Sequence, residues 1–425
     1  MEKFISKIKM IFTDKSLRNK ILFVIFALCI FRVLAAIPIP GIDAIKLARL
    51  LENNQFLGVL NIFSGGGLSS LSIIMLGVGP YITSSIIMQL MTIMIPRLKE
   101  LSQHEGEVGR KKFTQYSRLL TVPLAIVQAV GFIVLLERQD ILPALTIFEF
   151  ITDVSIVAAG SMLLMWIGEL VTEYGIGNGI SLIIFAGIVA AIPTHISQFL
   201  LSFETSQIPY VILFAIVGLL IIAGVVIVTE AERPIPVTYA RQARSGGSAY
   251  GGGSTTYIPL RINQAGVIPI IFALSILMFP QMLGAFFATS ANSILQSISH
   301  ALIAFVQNPW AYSITYFVLV FLFTFFYTAV TFDPEAMAEN LQKNGAFVPG
   351  VRPGEPTALF VSKILNRITL MGAAFLGLIA VLPLIMQSLT GITSLAIGGT
   401  ALLIVVSVVT DLIKKIEAQI SMREY

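Results

Sequence analysis

The sequence predicts an all-α polytopic membrane protein, and three observations predict it. Of its 425 residues, 56% are hydrophobic and 12% charged, where a soluble domain carries roughly 25% charge. The charges are separated by long charge-free stretches, and the positive ones gather on one side of the implied membrane. A chain this long with so little charge cannot cover a soluble surface. A soluble enzyme, a disordered chain and a free nucleic-acid binder are therefore excluded.

A helix needs about 20 mostly apolar residues to cross a bilayer, and the charge-free stretches parse into ten such helices. The first run, 21–37, carries Arg32 and ends in Pro38-Ile39-Pro40-Gly41 without a small-residue cleavage site. It reads as a retained span rather than a signal peptide. Stretch 53–96 is too long for one straight span and too short for two. It is broken at Gly65-Gly66-Gly67 and again at Gly77-Val78-Gly79-Pro80. The expected layout is a re-entrant segment near 61–74 and a second span near 75–95, with a tucked external loop as the alternative. Irregular backbone at membrane depth survives only under protein cover or beside a water-filled cavity, so this segment points to an internal cavity. Residues 119–136, 154–168, 174–203 and 205–229 each suit one helix. Stretch 262–332 is read as two spans split near Asn308-Pro309, and 368–410 as two split near Thr390-Gly391.

Lysine and arginine orient the bundle. With a cytoplasmic N-terminus, 23 of the 27 fall inside, Lys46, Arg49 and Arg138 fall outside, and Arg32 lies in the first span. Both termini are then cytoplasmic. The spans divide near residue 204 into an N-terminal half, 1–203, and a C-terminal half, 204–425. Five spans per half make the halves enter from opposite sides, the pattern of an inverted repeat.

The spans are nearly bare of charge: beyond Arg32, Glu169, Glu173, Glu230 and Asp411 fall near helix ends. Ion-coupled transport usually needs charged partners in the membrane. Walker A, paired-carboxylate and metal-helix patterns are missing. Cys29 is the single cysteine and the three histidines lie far apart, so neither a disulfide nor a metal site is expected. An enzyme is not expected, and the sequence suggests a passage lined by neutral groups. Two cytoplasmic loops, near 230–262 and 333–367, are large. The first is rich in Gly and Ser, and the second carries Pro334, Pro349, Pro353 and Pro356. Loops beyond about 12–15 residues are often functional or disordered, so these are read either as solvated connectors or as docking sites for a cytosolic partner.

Five motifs then carry a resemblance. Ile37-Pro38-Ile39-Pro40-Gly41-Ile42-Asp43 follows span 1, and Phe63-Ser64-Gly65-Gly66-Gly67-Leu68-Ser69 opens the re-entrant segment. Gly175-Ile176-Gly177-Asn178-Gly179-Ile180-Ser181 starts span 5, and Asn263-Gln264-Ala265-Gly266-Val267-Ile268-Pro269 opens span 7. Gly345-Ala346-Phe347-Val348-Pro349-Gly350-Val351-Arg352-Pro353-Gly354 lies in the second large loop. In this order on a ten-span chain, they resemble nearly end to end the SecY family, the central subunits of bacterial protein-conducting channels.

The resemblance implies a channel in the bacterial inner membrane that passes unfolded polypeptides across and releases hydrophobic segments sideways into lipid. It implies a waist ring at Ile82, Ile86, Ile184, Ile188, Ile271 and Ile404, and a plug at 61–74 that includes Phe63 to Ser69. Ile82 and Ile86 lie one helical turn apart, as do Ile184 and Ile188, so each pair shares a face. An apolar constriction gates by dewetting and holds no particular side chain strongly. The implied lateral gate lies between spans 2 and 3 and spans 7 and 8, with polar groups Thr83, Ser84, Ser85, Gln89 and Ser275. Implied partners are SecE-like and SecG-like membrane subunits, the motor ATPase SecA and the ribosome, with secretory and membrane protein substrates, the lipid bilayer around them, and no cofactor. No nucleic-acid role beyond ribosome docking is implied. Docking would use Arg352, Pro353 and Gly354, with Arg241 and Arg244 from the first loop. That loop departs from the family pattern. The basic pair expected just before Tyr-Gly-Gly is replaced by Ser245-Gly246-Gly247-Ser248-Ala249, and no charge recurs between Arg244 and Arg261. Electrostatic docking at this tip is expected to be weaker, and the stretch reads like a flexible linker.

Overall fold

The computed structural model describes residues 14–39, 61, 64, 66–68, 70–103, 106–138, 141–143, 145–201, 208–239, 255–287, 292–390 and 393–421. Its helices are α1 (Lys15–Ala35), α2 (Gly79–Met94), α3 (Pro96–Gln103), α4 (Gly106–Arg138), α5 (Ile147–Tyr174), α6 (Gly179–Leu201) and α7 (Ile208–Glu230), followed by α8 (Ile268–Phe287), α9 (Ser293–Gln307), α10 (Pro309–Thr331), α11 (Pro334–Lys343), α12 (Glu355–Thr390) and α13 (Thr393–Ser421). Strands β1 (Glu232–Tyr239), β2 (Thr255–Arg261) and β3 (Ala346–Phe347) form one small sheet. Among the described residues, four stretches, Gly106–Glu137, Ile147–Tyr174, Pro309–Lys343 and Glu355–Met386, are long and apolar enough to cross a membrane. Shorter apolar helices lie at Gly179–Pro193, Ala215–Glu230, Ile268–Leu277 and Ser293–Val306.

Helix starts follow from local chemistry. A buried or lipid-facing helix end needs its free N–H groups satisfied, and capping side chains supply this. Asp14 accepts from the Ser16 N–H at α1. Thr146 and Glu149 form a reciprocal capping box at α5. Asn308 accepts from the Trp310 and Ala311 N–H groups, with Pro309 as first residue of α10, and Asp333 does the same for α11 ahead of Pro334. Proline suits this position because its missing N–H would be unpaired there anyway.

The break at Asn308-Pro309 is therefore real, but the preceding stretch is not one continuous helix. It holds α8 and then α9, which folds back on α8: the Ser299 hydroxyl donates to the Gly284 carbonyl at 2.6 Å. The break near Thr390 separates α12 from α13 as expected. Several helices outrun their apolar stretches. At 1.5 Å per residue the 33-residue α4 is about 50 Å long, well beyond the roughly 30 Å hydrocarbon core. Its overhang is the basic stretch Arg110–Arg118.

The two large loops are not mere connectors. Strand β1 pairs antiparallel with β2, from Glu232 opposite Arg261 to Thr238 opposite Thr255. The second loop adds β3 to the other edge of β1, with Thr238 opposite Phe347. Ile235, Val237 and Leu260 of the sheet pack with Leu341 of α11 and with Val361, Ile364 and Leu365 on the first turns of α12. Hydropathy missed this body because strands of 8, 7 and 2 residues are too short to show as membrane-length apolar runs.

Candidate functional site: a cavity above an apolar waist

Helices from both predicted halves enclose a cavity of about 740 Å³. Its floor is apolar, formed by Ile82 of α2, Ile184 of α6 and Ile271 of α8. Its mouth is charged, with Glu107, Arg110, Lys111 and Arg118 of α4 and Glu169 and Glu173 of α5. Arg118 and Glu169 pair at 2.7 Å across the mouth and tie α4 to α5. The expectation of a neutral lining thus holds at the floor and fails at the mouth, where helix ends outrun the apolar stretches. Among the described residues no three His, Cys, Asp or Glu side chains cluster as metal ligands do.

Two of the glycine-containing motifs build the wall. Residues 175–179 make the corner from α5 into α6. Gly177 sits at φ +92°, a conformation that glycine adopts without a Cβ penalty. A Cβ on Gly179 would lie 2.8 Å from the Gly168 carbonyl carbon and closer still to its oxygen. The Gly179 N–H donates to the Thr172 hydroxyl at 2.8 Å, and the Asn178 side chain accepts from the Ile180 and Ser181 N–H groups. The corner aims Ser181 and Ile184 at the cavity. Residues 263–268 lead into α8 opposite it, and a side pocket of about 210 Å³ joins the two motifs with Ser407, Asp411 and Lys415 of α13.

All six predicted waist residues are buried: Ile82, Ile86, Ile184, Ile188, Ile271 and Ile404 are each at most 6% exposed. They share one hydrophobic cluster to which α1, α2, α5, α6, α7, α8, α10, α12 and α13 contribute. Three of them, Ile86, Ile188 and Ile404, do not line the cavity but belong to the same cluster as those that do.

On the far side of the waist lies the re-entrant segment. Phe63, Gly65 and Ser69 are outside the described residues. Ser64 and Leu68 are fully buried, and Gly66 and Gly67 continue a run of short turns. The Gly66 N–H donates to Asn61, that of Gly67 to Ser64, and that of Leu71 to Leu68. The Ser64 hydroxyl accepts from the Leu68 N–H at 3.0 Å. Such local bonds satisfy backbone that no helix ladder serves. Leu68, Leu71, Met75 and Leu76 pack against Phe132, Ile133 and Leu136 of α4 and Val154 and Val157 of α5. Ile74 and Val78, a few residues on, belong to the waist cluster.

The halves meet where α8 packs on α2 and α4, and where α6 packs on α13. The polar groups predicted for the first seam do not bond across it. The Ser84 hydroxyl donates to the Ser117 carbonyl of α4, and Gln128 of α4 donates to Thr83. Thr83 and Ser275 donate to carbonyls of their own helices, and Gln89 donates to Ser85 one turn away. The first two bonds hold α2 to α4 within one half, and none of the five joins α2 to α8.

Arg352 is exposed on a turn that leaves β3. Its carbonyl accepts from the Thr357 hydroxyl at 2.8 Å, and Gly350 and Gly354 flank it at φ +83° and +92°. Pro353 is also exposed. Arg241, Arg244 and the Gly/Ser-rich stretch 245–254 lie outside the described residues.

Comparison with known proteins accords with this geometry. Residues 72–413 match the family model SecY. Two relatives described as protein translocase subunit SecY are 43% identical over 421 residues in Thermus thermophilus (96% of this chain, 94% of that protein) and 41% identical over 436 residues in Corynebacterium glutamicum (97% of each). Among solved structures, a protein-conducting channel superposes with a TM-score of 0.65 at 20% identity, covering 96% of this chain and 93% of that one. Sec61 of the canine ribosome-channel complex from the endoplasmic reticulum superposes with a TM-score of 0.62 at 19% identity, covering 96% and 93%. A membrane-embedded bundle that meets at a cavity over an apolar waist, and a family match over most of its length, lead to one conclusion: the chain belongs to the SecY family of protein-conducting translocation channels.

Proposed function

We propose that the chain passes unfolded polypeptides through the cavity and the isoleucine waist, and lets hydrophobic segments leave between α2 and α8. The observation that carries this reading is the cavity itself, open and charged at one end and closed by apolar side chains from both halves at the other. In this reading ten spans form two inverted halves, 1–203 and 204–425, in the bacterial inner membrane with both termini cytoplasmic. The excess of basic residues on the cavity side supports that orientation. Ile82, Ile86, Ile184, Ile188, Ile271 and Ile404 form the seal, and residues 61–74 form a plug beyond it. The chain catalyses no reaction, so a motor or a translating ribosome supplies the work. Arg352 offers such a partner a planar, always-charged donor on a turn whose backbone is fixed. The complex of Sec61 with a ribosome favours the ribosome as one such partner. A SecA-like ATPase is the other, and SecE-like and SecG-like subunits complete the assembly.

The test is reconstitution of the chain with its small subunits in liposomes, followed by the motor ATPase, ATP and an unfolded precursor. Protease-protected precursor is expected. Absence of protection, together with solute uptake driven by an ion gradient, would instead make the protein a secondary transporter.

A further inference from the structure

The re-entrant segment touches the rest of the molecule on two sides in ways its leucines do not explain. On one side, Gly160 of α5 lies against its backbone. A Cβ at Gly160 would sit 2.8 Å from the Ile73 carbonyl carbon and closer still to its oxygen, with the Ile74 Cα at 3.4 Å. On the other side runs the chain that leaves α1. Pro38 and Ser72 form an antiparallel bridge. The Ile39 N–H donates to the Leu71 carbonyl at 2.9 Å, and the Ile73 N–H to the Ile37 carbonyl at 3.0 Å. The Ser70 hydroxyl donates to the Ala35 carbonyl at 2.8 Å.

The stretch held between these sides is strained. Leu71, at φ +39°, is the one non-glycine residue with positive φ among the described residues, a conformation that a side chain with a Cβ disfavours. The buried hydroxyls of Ser72 on the segment and Ser161 beside Gly160 find no protein partner, which also disfavours the closed arrangement.

We propose that Gly160 and the edge Ala35–Ile39 form a clamp that seats the re-entrant segment. The missing side chain at Gly160 allows the close approach, and the strain at Leu71 with the two orphan hydroxyls keeps the seat releasable. The proposal rests on the reading of 61–74 as a plug. Residues 70–74 are its fixed point, and the clamp sets how often the plug leaves.

Gly160→Ala tests the clamp with one methyl group. Alanine favours a helix over glycine by about 1 kcal/mol, so loosening in this variant comes from the contact and not from α5. The full chain is assembled with its partner subunits in a Cys29→Ser background carrying Ser72→Cys, buried when seated. Two quantities are read: the labelling rate with a membrane-impermeant maleimide, and resting ion conductance in planar bilayers. Both are expected to rise by about tenfold or more in Gly160→Ala, as a shifted two-state equilibrium requires. Ser70→Ala, on the other side of the clamp, is expected to raise them by about threefold. Gly218→Ala, where an added Cβ meets nothing within 4 Å, is expected to change neither. If Gly160→Ala does not assemble, Ser70→Ala decides. Parental labelling in every clamp variant that assembles overturns the proposal. Leu68→Asp separates the two readings, because a buried charge expels the segment whatever holds it. If Leu68→Asp raises labelling but not conductance, the plug reading fails. If it raises both while the clamp variants raise neither, the plug stands and the clamp fails.

Discussion

The two sides of the waist differ in kind. Toward the basic end, helix termini spread around about 740 Å³ of open space with charged residues at its mouth. Toward the other end, Leu68, Leu71, Met75 and Leu76 fill the space against α4 and α5. The open side is bounded by helix ends that extend past their apolar stretches. The filled side is shaped by one short segment whose backbone bonds are largely its own. In the proposed reading, a polypeptide entering the cavity meets this vestibule first and then the segment proposed as a plug.

The largest expected effect comes from breaking the layer between the two sides. Ile404→Asp or Ile82→Asp places a carboxylate in the apolar seal. Resting conductance of the reconstituted channel should rise by at least about tenfold, because wetting removes the barrier. A sealed bilayer with either variant would move the waist elsewhere. Next is the turn at Arg352 proposed for docking. Arg352→Glu should lower motor-driven translocation by about tenfold or more, while resting conductance stays at the parental level. Arg352→Lys should fall between, because lysine lacks the planar fork. An equal loss in conductance control would tie Arg352 to folding rather than to partners.

The wall of the vestibule should respond more modestly. Gly179→Ala forces a methyl group into the Gly168 carbonyl and should cost about 1–3 kcal/mol as overpacking, read as a lower thermal midpoint of the purified complex. The smallest effect concerns the seam. Ser84→Ala removes one buried bond to α4, worth about 0.6–1.7 kcal/mol by membrane-protein precedent. It should lower stability and leave the rate of disulfide crosslinking between engineered cysteines on α2 and α8 unchanged. A change in that rate would show that the polar face of α2 takes part in opening.

Much of the fold was legible because its causes are local. Hydropathy marked most helices, and the split near Asn308-Pro309 falls at a capped helix start, whereas α11, capped by Asp333, lies in a stretch read as a loop. The glycine breaks at 65–67 and 77–79 predicted irregular backbone, and turns are found at Gly66, Gly67 and Gly77. The misses have equally local reasons. Apolar length cannot tell one span from α8 with α9 folded back on it, because both are free of charge. The sheet joining the two large loops depends on pairing residues more than 100 apart, Thr238 with Phe347, and no window along the chain contains both. The polar faces of α2 and α8 suggested a hydrogen-bonded seam. Which neighbour a serine reaches is set by helix rotation, and rotation turned Ser84 toward Ser117.

The sequence by itself determined that the protein lives in a membrane, which ends of its helices carry basic charge, and where the backbone must break. Those follow from transfer free energy and backbone sterics, which act residue by residue. The tertiary structure alone decided that Ile82, Ile184 and Ile271 close one floor, that charged helix ends ring the mouth above it, and that Gly160 lies against Ile73. Such meetings depend on how helices far apart in the chain cross and rotate, and that is set by packing rather than by any local signal.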